Sequence, residues 1–279
     1  TKEVEFKRLK YPGEVILSKT WRSEFGEKIK DDLHFRIIVL AKNAEFDLTE
    51  LKDSRIAVCI PSELTEAAKE SARDYLAITK MEEDYKNKNG VEGEEARAWI
   101  GNKKRDVIHT LLNKQIGIYK SGRIYTQQSL GIDEKKVFSS DILDKMLDQV
   151  VVPILGGAYT SQPFYSEHFK KVLSGGDAKK IFEGFCKKEP SAGAMSACEN
   201  YGIVLGLSRY DEPKKFNPVE DNKIFEFLKE RLKQNNGEVQ IWKLYQELEN
   251  IPYGLLKELV TLYLLCFVRA NPDVEIRLK

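Results

Sequence analysis

The sequence has no long hydrophobic run. Its longest, Leu262 to Val268, is far short of the roughly 20 apolar residues needed to span a bilayer. The first ten residues, Thr1 to Lys10, are charged throughout and contain no apolar h-region, so no secretory signal is present. Charge of one sign is also missing: 45 Lys and Arg stand against 44 Asp and Glu, a formal net charge of +1. That balance argues against a dedicated, strongly basic nucleic-acid binder but leaves a local basic patch open. The four cysteines, Cys59, Cys186, Cys198 and Cys266, lie far apart and never form C-x-x-C. A reducing compartment therefore fits better than a disulfide framework, and the expected location is cytoplasmic, away from the membrane.

The common catalytic signatures are missing too. No G-x-x-x-x-G-K-[ST] occurs, so the backbone cradle and lysine of a P-loop are not in this segment. Ser174-Gly175-Gly176-Asp177, followed by Lys179 and Lys180, is the nearest imitation. An aspartate at that mouth repels phosphate, and a turn with an N-cap is the simpler reading. His34, His109 and His168 are isolated, with no second His or Cys at zinc spacing, so no metal site is expected. G-x-S-x-G is missing. The small-residue stretch Ser191 to Cys198 would expose Ser196 or Cys198 as a nucleophile in an unrecognised hydrolase. Small residues more often let two helices approach closely, and a free cysteine is commonly a buried hydrophobe. No catalytic residue is assigned.

What is present is an ordinary globular composition: 279 residues, 42% hydrophobic and 32% charged. That length suggests about two domains. The first forty residues mix charge with single aromatics and show no clear period. His34 to Leu40 and Arg55 to Ile60 then read as buried β-branched strands, the second stopped by Pro61. Ser62 suits a helix N-cap, with Glu63 and Glu66 near the positive helix end and apolar residues recurring from Leu64 to Ile78. Strand, Pro-Ser, helix is the local pattern of a small α/β layer over residues 1–80.

Residues 81–216 read as a mainly helical region. A long exposed helix is broken near Asn89-Gly90, and a β-hairpin is expected near 116–126, with Ser121-Gly122 as its turn. A helix from Asp141 is expected to stop at Pro153, with Gly156-Gly157 in a loop. Over 217–279, Asn217-Pro218 opens a helix that Asn235-Asn236-Gly237 ends. A strand (Glu238 to Ile241), a helix (Trp242 to Leu248), a Pro-Tyr-Gly turn, an apolar helix (Leu255 to Val268) and an extended end (Val274 to Leu278) follow. That order is the order of a winged helix-turn-helix. The expected fold is thus mixed α and β: a small α/β layer, then a mainly helical region ending in a winged-helix-like subdomain.

Two candidate surfaces follow. Lys103, Lys104 and Arg105 precede the hairpin that would carry Lys120, Arg123 and Tyr125, joining phosphate-neutralising cations to a ring able to stack on a base. An ordinary basic surface is the competing reading. In the terminal subdomain, the expected recognition helix is apolar around most of its circumference, so it is buried or packs on a partner rather than reading DNA. Tyr253, Leu255, Leu259 and Tyr263 are its candidate interaction residues.

Ile251-Pro252-Tyr253-Gly254-Leu255, followed by an apolar helix ending near Arg269, resembles the PPYG(L) segment of the very large P-loop ATPases of BREX-type phage-defence systems and related uncharacterised ATPases. Arg55 to Leu64, Arg73 to Ala77 and Gly202 to Leu207 are similar to stretches around that segment, so the resemblance spans about residues 34 to 269. Ile251 stands where proline is common. The resemblance implies a non-catalytic linker and interaction module, with ATP and Mg bound elsewhere in the parent protein. Its implied partners are the rest of that ATPase, other defence-complex subunits, or DNA. The start at Thr1 and the end at Lys279 fit a fragment boundary. A free-standing winged-helix DNA-binding protein is the runner-up, and the hydrolase is third.

Overall fold

The computed structural model describes residues 2–30, 32–41, 44–62, 65–120, 122–128, 130–132, 137, 143–164 and 171–277, without the side chains of 115–120, 143 and 144. Strands β1 (Lys2–Phe6), β2 (Leu9–Ser18), β3 (Phe35–Leu40), β4 (Ile56–Ile60) and β5 (Arg123–Thr126) form one sheet in the order β1-β2-β3-β4-β5. The helices among the described residues are α1 (Glu66–Tyr85), α2 (Val91–Lys120), α3 (Leu143–Ala158), α4 (Gly175–Cys186), α5 (Ala192–Tyr201), α6 (Lys223–Gln234), α7 (Ile241–Glu249) and α8 (Lys257–Ala270). The fold is mixed α and β, as the sequence predicts. The chain divides into two compact units: Thr1–Glu14, Lys28–Arg36 and Val151–Lys279 form one, and Val15–Glu27 and Ile37–Val150 the other.

In the first unit, β1 and β2 pair antiparallel from Lys2↔Gly13 to Phe6↔Leu9. Only Lys7 and Arg8 lie between the strands, at φ 47° and 62°. Two successive left-handed residues make the tight turn whose twist matches paired strands. Val4, Phe6, Leu9 and Tyr11 are buried and share one face through the two-residue alternation of a pleated strand. This hairpin lies in the stretch where the sequence shows no period.

Helix α3 does not stop at Pro153 but runs through it and through Gly156-Gly157 to Ala158. A proline inside a helix costs one backbone hydrogen bond, about 3 kcal/mol. Burial of Val151, Ile154, Leu155 and Ala158 on the continuing helix offsets that cost. Helices α4 and α5 pack closely because Gly184 has no Cβ; one there would collide with the Cys198 thiol and the Ala194 carbonyl oxygen. The small residues of the Ser191–Cys198 stretch therefore serve helix packing.

Helix α6 begins six residues after Asn217 and is capped by Asn222, whose Oδ1 accepts from the Ile224 and Phe225 amides at 3.2 and 3.1 Å. An asparagine side chain satisfies two orphan amides there, which Pro218 cannot do. Asn236 and Gly237, both at positive φ, follow the helix end as expected. Neither Glu238 to Gln240 nor Val274 to Arg277 forms a strand. Among the described residues, 217–277 holds three helices and no wing.

In the second unit, β4 pairs antiparallel with β5 from Ala57↔Thr126 to Ile60↔Arg123. The expected hairpin near 116–126 is not formed: Ile116 to Lys120 continue α2, and β5 finds its partner in β4. A short apolar run fits either period, and here the long helix preceding it carries on. Thr65, not Ser62, caps α1, its Oγ1 accepting from the Ala68 amide at 3.2 Å. Glu63 and Leu64 lie outside the described residues. Helices α1 and α2 pack on each other as a hairpin whose longer arm runs about 45 Å at 1.5 Å per residue. Ala68, Ser71, Ile78 and Ile100 are buried in it, and Lys104 pairs with Glu82 across it.

Candidate functional site

Lys103, Lys104 and Arg105 sit in the middle of α2. Lys104 is held by Glu82, whose hydrogen bond and charge raise the ammonium pKa. Arg105 donates to Asn102 Oδ1 at 3.0 Å. Lys120 ends the same helix, and its side chain lies outside the described residues. Fifteen residues of helix place Lys120 about 22 Å along the axis from Arg105. Arg123 is exposed on β5 opposite Ile60, and Tyr125 packs its ring on Phe46 at 5.8 Å, which in turn meets Trp21 at 4.6 Å. The structure does not bring this set together, because the first arm of the hairpin expected to join it continues α2 while the second pairs with β4.

The residues expected to dock a partner at the other end of the chain are interior. Leu255, Leu259 and Tyr263 are fully buried, and the Tyr263 hydroxyl donates to the Leu205 carbonyl at 2.9 Å. Tyr253 is half-buried against Phe227, ring centres 5.3 Å apart. Helices α4, α6 and α7 cover α8, which is the physical requirement of a helix apolar on most sides. The terminal helix needs no partner to hide it.

The Pro-Tyr-Gly turn is instead the corner of a buried polar cluster. Tyr11 donates its hydroxyl to the Gly254 carbonyl at 3.0 Å and accepts from Gln162 Nε2 at 2.5 Å. His34 Nδ1 lies 2.7 Å from the Tyr159 hydroxyl, and the Tyr11 and His34 rings meet edge-on at 4.9 Å. Burial and the neighbouring Tyr159 hold the Tyr11 hydroxyl well above the usual phenol range. Beside this cluster, His34 also lines a concave space of about 700 Å³ with Asp32, Lys10, Ser174, Lys257 and Glu258. Its charges are of both signs and spread around the rim. The Ser174 turn at its edge is closed by its own chain: Asp177 accepts from the Ser174 amide and hydroxyl at 3.0 and 2.7 Å. The carboxyl of Glu258 lies against Gly175, so two carboxylates already occupy the positive end of α4.

The remaining reactive groups are quiet. Cys198 is fully buried, its thiol faces the Ile181 carbonyl at 3.4 Å, and burial with Cys186 nearby pushes its pKa up to about 12. A buried apolar thiol of that kind is inert at neutral pH. Ser196 is exposed and meets Asn200 at 3.4 Å, and His109 pairs with Asn113 at 3.2 Å. His168 lies outside the described residues. Among the described residues, no group of three or more His, Cys, Asp or Glu is placed to hold a metal ion. No helix among them is long and apolar enough to cross a membrane.

The surface that the sequence reading missed lies on the α1–α2 hairpin. A groove of about 410 Å³ runs between the helices, lined by Asp74, Ala77, Ile78 and Met81 on α1 and by Trp99, Lys103, Asp106, Val107 and Thr110 on α2. Trp99 is 56% exposed and Met81 38%. The groove residues recur at three- and four-residue steps on each helix, which is one face of each. That spacing was the available signal, but it becomes a surface only once the two helices are aligned. Compared with known proteins, the chain matches no family model, no curated protein and no solved structure.

Proposed function

We propose that the chain is a non-catalytic linker and interaction module of a large cytoplasmic P-loop ATPase of the BREX type, coupling the ATPase to a protein partner of a prokaryotic phage-defence complex. The observation that carries the interaction role is the α1–α2 groove, where a tryptophan and a methionine stay partly exposed on a long two-helix arm. Apolar side chains gathered in a groove with a polar rim are the usual mark of a protein-binding surface. The parentage rests on the resemblance of Ile251 to Leu255. The structure adds a physical reason for that segment to keep its residues: Gly254 is pinned against Tyr159 and bonded by Tyr11. Nucleotide and Mg belong, on this reading, to the ATPase part of the parent.

DNA is the weaker partner on this face. Lys103, the cation that lines the groove, stands beside Asp106 and across from Asp74, and carboxylates repel a phosphate backbone. The test is direct. The open reading frame encoding this chain should also encode a G-x-x-x-x-G-K-[ST] segment, and the isolated chain should neither bind a fluorescent ATP analogue nor hydrolyse ATP. An open reading frame without that segment, or ATP hydrolysis by the purified chain, overturns the proposal.

A further inference from the structure

A strand edge exposes a row of unpaired amides and carbonyls, and proteins guard such edges with charge, proline or shortness. Two edges of this sheet are guarded in that way. β1 carries exposed Lys2, Glu3 and Glu5, and β5 is four residues long and begins with exposed Arg123. The second half of β2 is different. β1 covers β2 only as far as Gly13, opposite Lys2, while β2 runs on to Ser18. The Pro12 and Ser18 carbonyls accept from the His34 and Ala41 amides at 2.8 and 2.9 Å, on the side of β3. Backbone groups alternate sides along a strand, so Glu14 and Ile16 face β3 as well. Val15 and Leu17 therefore turn both N–H and C=O the other way. Among the described residues, no strand lies on that side of β2 beyond Gly13, and no loop group bonds to the backbone of Val15 or Leu17. Val15-Ile16-Leu17-Ser18 carries neither charge nor proline, and Leu17 is 78% exposed.

We propose that this edge pairs with the same edge of a second copy of the chain, antiparallel about a twofold axis at Ile16. Val15 and Leu17 lie symmetrically about Ile16, so each exchanges two backbone hydrogen bonds with the other residue of the second copy. The same register sets exposed Leu17 beside Val15 of the second copy and places Ile16 opposite itself. A twofold contact pairs a patch with itself, which a charged edge opposes and this uncharged one does not. Space also favours a copy. An added strand that runs past Glu14 meets β1 at Lys2, and β2 ends in a bend after Ser18. A copy of β2 thus turns away where β1 begins, whereas a longer foreign strand runs into it. The contact is small, so the pair should exchange with monomer rather than lock. The proposal does not depend on ATPase parentage.

Sedimentation velocity of the full chain, over about a hundredfold range of concentration, should show a reversible monomer–dimer equilibrium. Leu17→Pro removes an amide that faces the edge and none that faces β3, a place where strands tolerate proline. It should weaken the dimer about tenfold or more. Leu17→Lys, at an exposed position, should do the same by setting like charges near the axis. Unchanged urea midpoints keep the comparison valid. Ile16→Cys gives a positive sign. In a pair without mutual hydrogen bonds the two Cα atoms lie about 4.5 Å apart, within disulfide reach. Oxidised glutathione, reduced as it takes up the two thiol hydrogens, should then link two copies. The same chain with Leu17→Pro added, and the unaltered chain with its four cysteines, should stay unlinked. A monomer at every concentration, a dimer as tight in both Leu17 variants, or an Ile16→Cys chain that does not link overturns the proposal. None of these results touches the reading-frame test, so the two ideas fall separately.

Discussion

A Cβ on Gly254 would overlap the ring of Tyr159, and Gly254 itself sits at φ +60°. Both constraints act on one residue. The left-handed conformation costs an L-residue roughly 1–2 kcal/mol, and forcing extra volume into a packed site costs typically about 1–3 kcal/mol. The Gly254 carbonyl also accepts the Tyr11 hydroxyl at 3.0 Å, so a shifted backbone loses that bond as well. Gly254→Ala should therefore lower stability by about 2–4 kcal/mol, read as a lower urea midpoint. A midpoint equal to that of the unaltered chain would mean that the Tyr159 ring yields freely.

The residues that announced themselves were those whose local chemistry agrees with their tertiary setting. Phe35 to Leu40 and Ile56 to Ile60 are mostly apolar, rich in isoleucine and valine, and lie inside the sheet rather than at its edges. Asn235-Asn236-Gly237 stops a helix by positive φ. The first hairpin was illegible because Lys7-Arg8 occupies turn positions where Asn-Gly is the expected signal. Ile116 to Lys120 misled for the opposite reason, since an apolar run before Ser-Gly looks like a strand although it ends a long helix. The interaction residues were misplaced because an apolar helix gives no sign of whether its own chain covers it. The groove was invisible because Met81 and Trp99 come from different helices and meet only after the hairpin folds.

The Lys7-Arg8 turn gives a prediction of the opposite sign. Both residues hold positive φ in the two-residue link between β1 and β2. Asparagine tolerates that region better than lysine, and glycine enters it without steric cost. Replacing the pair by Asn-Gly should raise stability by about 1 kcal/mol in chemical denaturation. The Arg8–Glu5 ion pair lost in the exchange is exposed and should subtract little. A lower midpoint would show that the lysine and arginine side chains hold the turn in some other way.

Cys198 predicts an alkaline weakness. Burial is the main reason its thiol is pushed up to about 12, from an ordinary 9.0. Below pH 9.0 the thiol is protonated in both the folded and unfolded states, and its contribution to stability is fully present. As pH rises from there toward about 12 the unfolded chain releases the proton and the folded chain does not, so stability is lost. One such group changes stability by at most about 1.4 kcal/mol per pH unit. Burial pushes Cys266 and Tyr11 upward too, so they act in the same direction. Urea midpoints under reducing conditions should fall as pH rises from 9.0 to about 10.5, above the thiol's ordinary value. Cys198→Ala should fall less steeply; an identical slope in the two proteins would remove Cys198 from the account.

The last prediction concerns the second unit, where Asp53 and Arg55 form a buried forked pair. Arg55 Nη2 and Nε donate to the Asp53 carboxylate at 2.8 and 3.0 Å, and the Arg55 amide donates to Oδ1 at 2.9 Å. Their side chains are only 4% and 3% exposed. Removing one partner from such a pair strands a buried charge, at a cost of about 3–5 kcal/mol, whereas replacing both by apolar residues is often close to neutral. Asp53→Ala should therefore be severely destabilising, and more so than Asp53→Asn, which keeps an oxygen able to accept from the guanidinium. The Asp53→Leu/Arg55→Met double variant should recover most of the loss despite losing both charges. A double variant as unstable as Asp53→Ala would show that the pair fixes the start of β4 through its backbone bond to Oδ1, rather than through the compensation of charge.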